Sequence, residues 1–450
     1  MENKLETRRG FLKTGTAATA GLAVAGSMAS SVHAAGSGEI RLVVIGCGGR
    51  GTGAAENIFI AAQNTPGAKV KLVAVHDAFK ENAKAAIKSL SRKFAENVDV
   101  SEDRIFSDLD GYKAAIDVDC DLVVIATPPA FKPQQFEYAV KKGRHIFCEK
   151  PVASDVAGVR RFLASVQESK SKNLLVGIGL QRRHEPQYLE TIKRLHDGAI
   201  GDIIALRVYW NGGGIWHRGR NIAQQLMGSS PVTEMAYQCN NWYHFNWLSG
   251  DQICEQHIHN LDVGCWVKGK YPVECNGMGG REMREGGDRT RSQIFDHTFC
   301  EYTFDDGTKM FSQGRHLKGS WEIVDEFAHG SLGTSKIDGR IEGKNAWKFD
   351  GKRLNGHQNE QNDLVAAMVK GEIYNEGEHG AKSTFCAILG REACYSGKVI
   401  KWDDLMQSGQ DLAPGIDSYT LKSEPPVMPD ENGMYPVPVP GVYTPFTKKA

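Results

Sequence analysis

The chain reads as an α/β protein: an N-terminal doubly wound parallel sheet, then an α+β domain built on a large, mostly antiparallel open sheet. Three observations predict this. Between residues 39 and 180, short apolar runs alternate with helical patterns, the βαβ order of a sheet covered on both faces. The first run ends in Gly46-Cys47-Gly48-Gly49-Arg50-Gly51, a glycine loop between a strand and a helix. Past Gln181, strand-like runs appear without long helices between them, and Asp305-Asp306-Gly307-Thr308 supplies a hairpin turn.

Residues 40–45, 70–75, 122–126, 145–147 and 174–179 predict the parallel strands, because each is a near-continuous apolar run. Residues 50–63, 80–94, 133–142 and 154–168 predict helices, the last capped by Ser154 or Asp155. In the second domain, 203–209, 298–304, 309–313 and 321–327 predict strands, and 360–370 and 381–396 late helices. The proline-rich stretch 425–445 predicts an extended surface arm rather than core. The expected divisions are 1–34, 39–180, 181–420 and 421–450: export signal, nucleotide-binding domain, substrate and oligomerisation domain, and arm.

The 450 residues are 41% hydrophobic and 24% charged, ordinary globular usage with room for two cores. Basic and acidic residues number 54 each, so no net field recruits nucleic acid or an anionic membrane. Thr7-Arg8-Arg9-Gly10-Phe11-Leu12-Lys13 precedes a weakly apolar run and the small-residue site Val32-His33-Ala34. This is the pattern of a twin-arginine export signal cleaved after Ala34. It predicts the twin-arginine export machinery as a partner. The mature chain is then expected to be periplasmic, or membrane-tethered if the signal is uncleaved. The ten cysteines include no Cys-x-x-Cys, and their placement in and beside apolar runs predicts buried small side chains rather than a disulfide framework.

The glycine loop carries the first chemistry. Gly46 permits a tight turn, Gly48 lets backbone approach a pyrophosphate, and Gly51 allows close helix–strand packing. Gly49 and Arg50 complete the loop, and Asp77 ends the second strand, placed to accept hydrogen bonds from a ribose diol. An acid there repels a 2′-phosphate, which favours NAD over NADP. Thr127 and Pro128 end the fourth strand at the ligand-binding edge. Glu149-Lys150-Pro151 follows the next strand. Packing explains a lysine there poorly; an ammonium held over a nicotinamide ring explains it well.

Residues 251–262 form a second dense polar cluster. On one helix, Glu255, His259 and Asp262 would share a face. Oxidising a secondary alcohol needs a base within reach of the hydroxyl. His259 suits that role, with Glu255 orienting its ring and Lys150 sharing the proton. A metal site from Glu255, His257, His259 or Asp262 is the chemical rival; no second ligand cluster supports it, so no metal is assigned. Rings and amides at Trp210, Trp216 and 240–247 suit stacking on sugar faces, with core packing as the competing reading of each ring. Arg182, Tyr188, Trp242 and Asp262 are the expected substrate contacts.

With these motifs, residues 39–402 resemble the glucose–fructose oxidoreductase/inositol dehydrogenase (Gfo/Idh/MocA) family. The resemblance implies an N-terminal Rossmann domain, a C-terminal open sheet used to form a dimer or tetramer, Lys150 as active-site lysine and His259 as acid/base. Two positions depart: the family usually carries Asp where Glu255 stands, and often a histidine after Thr-Pro where this chain has Ala130-Phe131-Lys132. The expected function is an exported NAD(P)-dependent oxidoreductase acting on a sugar or cyclitol hydroxyl. Its cofactor should be bound tightly and recycled, because free NAD is scarce outside the cytoplasm. A glycoside hydrolase working by transient oxidation is one alternative, though that branch generally lacks the lysine. A non-catalytic, NAD-holding sugar-binding protein is the other.

Overall fold

The computed structural model describes residues 39–281 and 291–446; the expected export signal, residues 1–34, lies outside them. Strands β1 (Glu39–Ile45), β2 (Lys69–His76), β3 (Ile105–Phe106), β4 (Leu122–Ile125), β5 (His145–Cys148) and β6 (Val176–Ile178) form a parallel sheet. Its order is β3-β2-β1-β4-β5-β6. The winding reverses between β1 and β4, which opens a crevice beyond the carboxyl ends of those strands. Helices α1 (Gly49–Asn64), α2 (Lys80–Ser91), α3 (Tyr112–Asp117), α4 (Lys132–Lys141) and α5 (Val156–Ser171) make the crossovers. Consecutive residues such as Leu42, Val43 and Val44, and all of β4, are buried because both faces are covered. Asp155, rather than Ser154, caps α5 by accepting a bond from the Gly158 N–H at 2.7 Å. Two short elements, β3 and α3, carry too few residues to show a period and were not expected.

The second domain departs further from the sequence reading. After α6 (Pro186–His196) and β7 (Ile203–Gly212) come five helices: α7 (Arg220–Met227), α8 (Glu234–Asn240), α9 (Asn246–Ser249), α10 (Asp251–Glu255) and α11 (Ile258–Lys268). Of these, only the polar segment 251–262 reads as helical in the sequence. Residues 258–265 of α11 are all buried, so this helix shows no amphipathic period from which to read it. The strands then resume as β8 (Glu274–Gly280), β9 (His297–Thr303), β10 (Lys309–His316), β11 (Ile323–Gly330), β12 (Gly333–Lys336), β13 (Arg340–Gly343) and β14 (Trp347–Lys348). With β15 (Ile400–Lys401) they form a sheet ordered β14-β13-β12-β11-β7-β10-β9-β8-β15. The β7–β10 pair is parallel and the other pairs antiparallel. The expected hairpin joins β9 to β10, with Gly307 at φ 82° and the Phe304 N–H donating to the Thr308 carbonyl at 2.9 Å.

Two late helices tie the halves together. The first, α12 (Gly356–Lys370), returns to α1: Asn57 Nδ2 donates to the His357 carbonyl (3.1 Å) and Gln358 Nε2 to the Asn57 carbonyl (2.9 Å). The second, α13 (Gly377–Ser396), is buried along most of its length, and its fully buried Arg391 Nη1 bridges the carbonyls of Ser154 (2.5 Å) and Gly250 (3.3 Å). All ten cysteines are buried and free.

The proline-rich arm has no helix or strand, yet it is not the loose surface segment the composition predicts. Tyr435 is fully buried, its ring 4.9 Å from Phe245 and its hydroxyl on Glu234. Gln238 Nε2 donates to the Val427 carbonyl at 2.6 Å, and the Gly441 N–H to the Ser396 carbonyl at 2.8 Å. Proline content set the backbone correctly; one aromatic anchor decided burial. Tyr435→Ala should therefore lower unfolding free energy by about 3 kcal/mol, read by denaturant titration. A loss under about 0.5 kcal/mol would show the arm to be outside the cooperative unit.

Candidate active site

The glycine loop is built as a cradle. Gly46 has φ +91°, and a Cβ there would lie 2.7 Å from the backbone of Ala126 and Thr127. At Gly51 a Cβ would sit 1.8 Å from the Gly46 carbonyl oxygen, so both positions need glycine. Gly48 and Gly49 face open space, with nothing within 4 Å of an added Cβ. The first turn of α1 has no side-chain cap and no acid, leaving its N–H groups free for an anion. These features fit a dinucleotide pyrophosphate.

Asp77 is less free than expected. Its Oδ2 accepts from the Cys47 N–H at 2.9 Å, while Oδ1 accepts from the Phe79 N–H and from Asn82 Nδ2, each at 3.0 Å. The carboxylate locks the loop to the end of β2, and a ribose would have to share oxygens already in use. Thr127 lies at the loop as expected, its hydroxyl donating to Gln135 Oε1 at 2.6 Å, with Pro128 beside it, half-buried. Arg50 Nε approaches Glu149 Oε1 to 2.8 Å, an ion pair whose N–H does not point at the oxygen.

Lys150 meets the second domain here. Its Nζ donates to the Glu255 backbone carbonyl and lies 3.2 Å from Glu255 Oε1. Burial raises the Glu255 pKa, opposed by the charges of Lys150 and Lys132. His259 sits well below the usual imidazole range because it is buried and because Lys150, Arg182 and His357 add positive potential. Trp210 stacks on the His259 ring at 6.0 Å. Glu255 Oε2 and His259 Nδ1 are both buried without a hydrogen-bond partner. These two atoms hold unspent hydrogen-bonding capacity, of a kind a polar ligand group would suit.

Other expected contacts are corrected. The polar cluster is not one helix: α10 ends at Glu255 and α11 begins at Ile258. Asp262, read as a substrate contact, is 1% exposed and held by Arg183 Nε (2.9 Å), Arg183 Nη2 (2.8 Å) and Ser383 Oγ (2.6 Å). Arg182 and Tyr188 both bind the buried Glu326, with Tyr188 Oη donating at 3.0 Å, so they brace the domain. His257, weighed as a metal ligand, is spent on Ser312 Oγ (2.6 Å) and Asn260 Oδ1 (3.3 Å), and burial takes its pKa down to about 3. Among the described residues, no three His, Cys, Asp or Glu side chains converge to hold a metal. Trp242 is partly exposed and packs edge-on against Trp216 at 6.3 Å, in a wall of rings with His244. Trp247 is core, its indole N–H donating to Gln238 Oε1 at 2.7 Å.

Sequence reasoning missed two residues. His357 lies in the first turn of α12 and stands within the electrostatic reach of Arg50, Glu149 and Lys150; the helix begins at Gly356, four residues before the 360 that the sequence predicts. Lys132 was noticed as a departure but given no part. Its buried Nζ donates to the carbonyls of Lys150 (3.1 Å) and Pro151 (2.8 Å).

Comparison with known proteins bears on the fold and on the N-terminal domain. Residues 40–178 match the family model described as Gfo/Idh/MocA oxidoreductase family, NAD-binding Rossmann fold. An inositol 2-dehydrogenase of Rhizobium meliloti is 33% identical over 136 residues, 30% of this chain and 36% of that one. One from Klebsiella pneumoniae is 31% identical over 232 residues, 51% of this chain and 54% of that one. The chain thus spans between a third and just over half of these relatives' lengths. Among solved structures, apo scyllo-inositol dehydrogenase from Lactobacillus casei superposes with TM-score 0.60 at 19% identity, covering 81% of this chain and 98% of that one. The aldose-aldose oxidoreductase of Caulobacter crescentus, complexed with glycerol, gives 0.59 at 17%, covering 81% and 99%. These likenesses show the fold.

Asp262 supplies a check on the correction. Burial alone would raise its pKa, but Arg183 and Ser383 outweigh that and leave it lowered. Its ionisation therefore stabilises the fold above the unfolded carboxylate value of about 3.9, and that contribution is lost as pH falls through the depressed native value. Asp262→Asn should cost about 3 kcal/mol at neutral pH by leaving Arg183 unpaired, and should flatten acid unfolding. An unchanged melting curve with a raised KM would restore the substrate role.

Proposed function

We propose that this protein is an NAD-dependent oxidoreductase acting on a CH–OH group of a cyclitol or sugar. Lys150, Glu255 and His259 handle the proton in this reading. The observation that carries it is the Lys150–Glu255 pair at 3.2 Å, together with the buried, partnerless Glu255 Oε2 and His259 Nδ1. The matched inositol 2-dehydrogenases and the glycine-loop cradle support the cofactor and the substrate class.

Gly46, Gly48, Gly49 and Gly51 would hold the pyrophosphate with the α1 N–H groups, and Asp77 favours the 2′-hydroxyl form, NAD. When bound, the nicotinamide supplies the hydride acceptor. His259 is neutral at physiological pH, so it can take the hydroxyl proton as the carbon is oxidised. The Lys150 ammonium stabilises charge developing on that oxygen, and Glu255 fixes where the ammonium points. Trp210 limits rotation of the His259 ring, and Trp216 and Trp242 offer apolar faces to a ring substrate.

Two further parts of the proposal rest on sequence and surface. The Arg8-Arg9 motif supports twin-arginine export, and export favours cofactor bound before transport and regenerated in place. The open sheet face carries Met278, 70% exposed, and the Phe299–Phe311 pair with rings 6.5 Å apart, which supports a homo-oligomer through that face.

Protein purified without added nucleotide should carry nicotinamide and oxidise at least one member of a cyclitol and aldose panel. Lys150→Met and His259→Asn should each lower kcat by about 100-fold or more, with NAD affinity held within about three-fold. Turnover unaffected by both substitutions would overturn the assignment. Release of an aglycone from aryl glycosides without net oxidation would move it to glycoside cleavage.

A further inference from the structure

Lys132 stands in the first turn of α4, 2% exposed. A buried ammonium is costly unless charges and hydrogen bonds compensate. Its Nζ donates to the carbonyls of Lys150 and Pro151, 3.1 and 2.8 Å away. The groups facing it electrostatically are Cys148, Glu149 and Lys150, around the end of β5, and Glu255, at the end of α10. One amine therefore grips the backbone that carries Lys150 and adds a second cation near the carboxylate that holds Lys150 in place.

We propose that Lys132 is a positioning residue for the active site: it fixes the Lys150–Pro151 backbone and keeps Glu255 ionised. This rests on the assignment of Lys150 and Glu255 to proton handling. The two effects separate with pH. Burial brings Lys132 down to about 8, so below that pH it is a cation and opposes the rise that burial imposes on Glu255. Above it, the neutral amine keeps two N–H groups, enough for both carbonyls. The grip persists while the charge fades.

The test compares full-length wild type, Lys132→Met and Lys132→Gln, loaded with NAD. Lys132→Met should lower kcat about ten-fold or more and move the acidic limb of the kcat/KM profile up by about half a pH unit or more. NAD affinity should stay within about three-fold. Lys132→Gln keeps a donor but no charge; it should move the limb equally with a smaller kcat loss, and it serves if the Met variant does not fold. A glutamate carboxyl NMR titration of unloaded protein, assigned with Glu255→Gln, should show Glu255 titrating higher in either variant. Unchanged kcat and an unchanged limb overturn the proposal, as does an unmoved Glu255 titration. Should wild type oxidise no polyol, the proposed function fails by itself, and the NMR comparison still decides the role of Lys132.

Discussion

A single ion pair between the two halves of the chain governs the site. Lys150 lies just past the carboxyl end of β5, and Glu255 ends a helix of the second domain, 105 residues away in sequence. Both side chains are about nine-tenths buried. An exposed pair of this kind contributes little. A buried one is costly to break and demands exact complementarity from the segments that carry it. Everything around it can be understood as supplying that complementarity.

The supply comes largely from α13. Arg391 joins the carbonyl of Ser154, four residues past Lys150, to that of Gly250, which precedes α10. The Thr384 hydroxyl accepts from the Val152 N–H at 3.2 Å and donates to the Gly380 carbonyl at 2.8 Å. Ser154 Oγ donates to the Trp247 carbonyl at 2.7 Å. The loops bearing Lys150 and Glu255 are therefore tied to one buried helix and to each other. Side-chain and backbone bonds of this sort fix geometry more tightly than apolar contact, because each leaves a buried group unsatisfied if it slips.

Much of this was legible in the sequence, and the reasons differ by residue. Gly46 and Gly51 were readable because steric demands on glycine are local. Lys150 was readable because an ionisable group beside a buried strand has no good packing explanation. His259 stood out through local density of polar residues, and its buried Nδ1 has no hydrogen-bond partner. Asp262 and Arg182 misled because the same chemistry that binds a substrate also satisfies a buried partner, here Arg183 and Glu326, whose approach is purely tertiary. Lys132 was invisible as a participant because its two acceptors are backbone carbonyls, which carry no side-chain signature. The period of α11 is erased because residues 258–265 are buried on every side.

The return of α12 to α1 adds a last constraint. His357 sits at its start, with its carbonyl held by Asn57 of α1 and its ring 3.4 Å from the buried Glu360. Burial, then the neighbouring Glu149 charge, push Glu360 well above the usual carboxylate range. That matters for Glu149, which needs Arg50 as its counter-ion and would be repelled by a second carboxylate. Arg50 belongs to the glycine loop, so its ion pair with Glu149 joins that loop to the residue before Lys150.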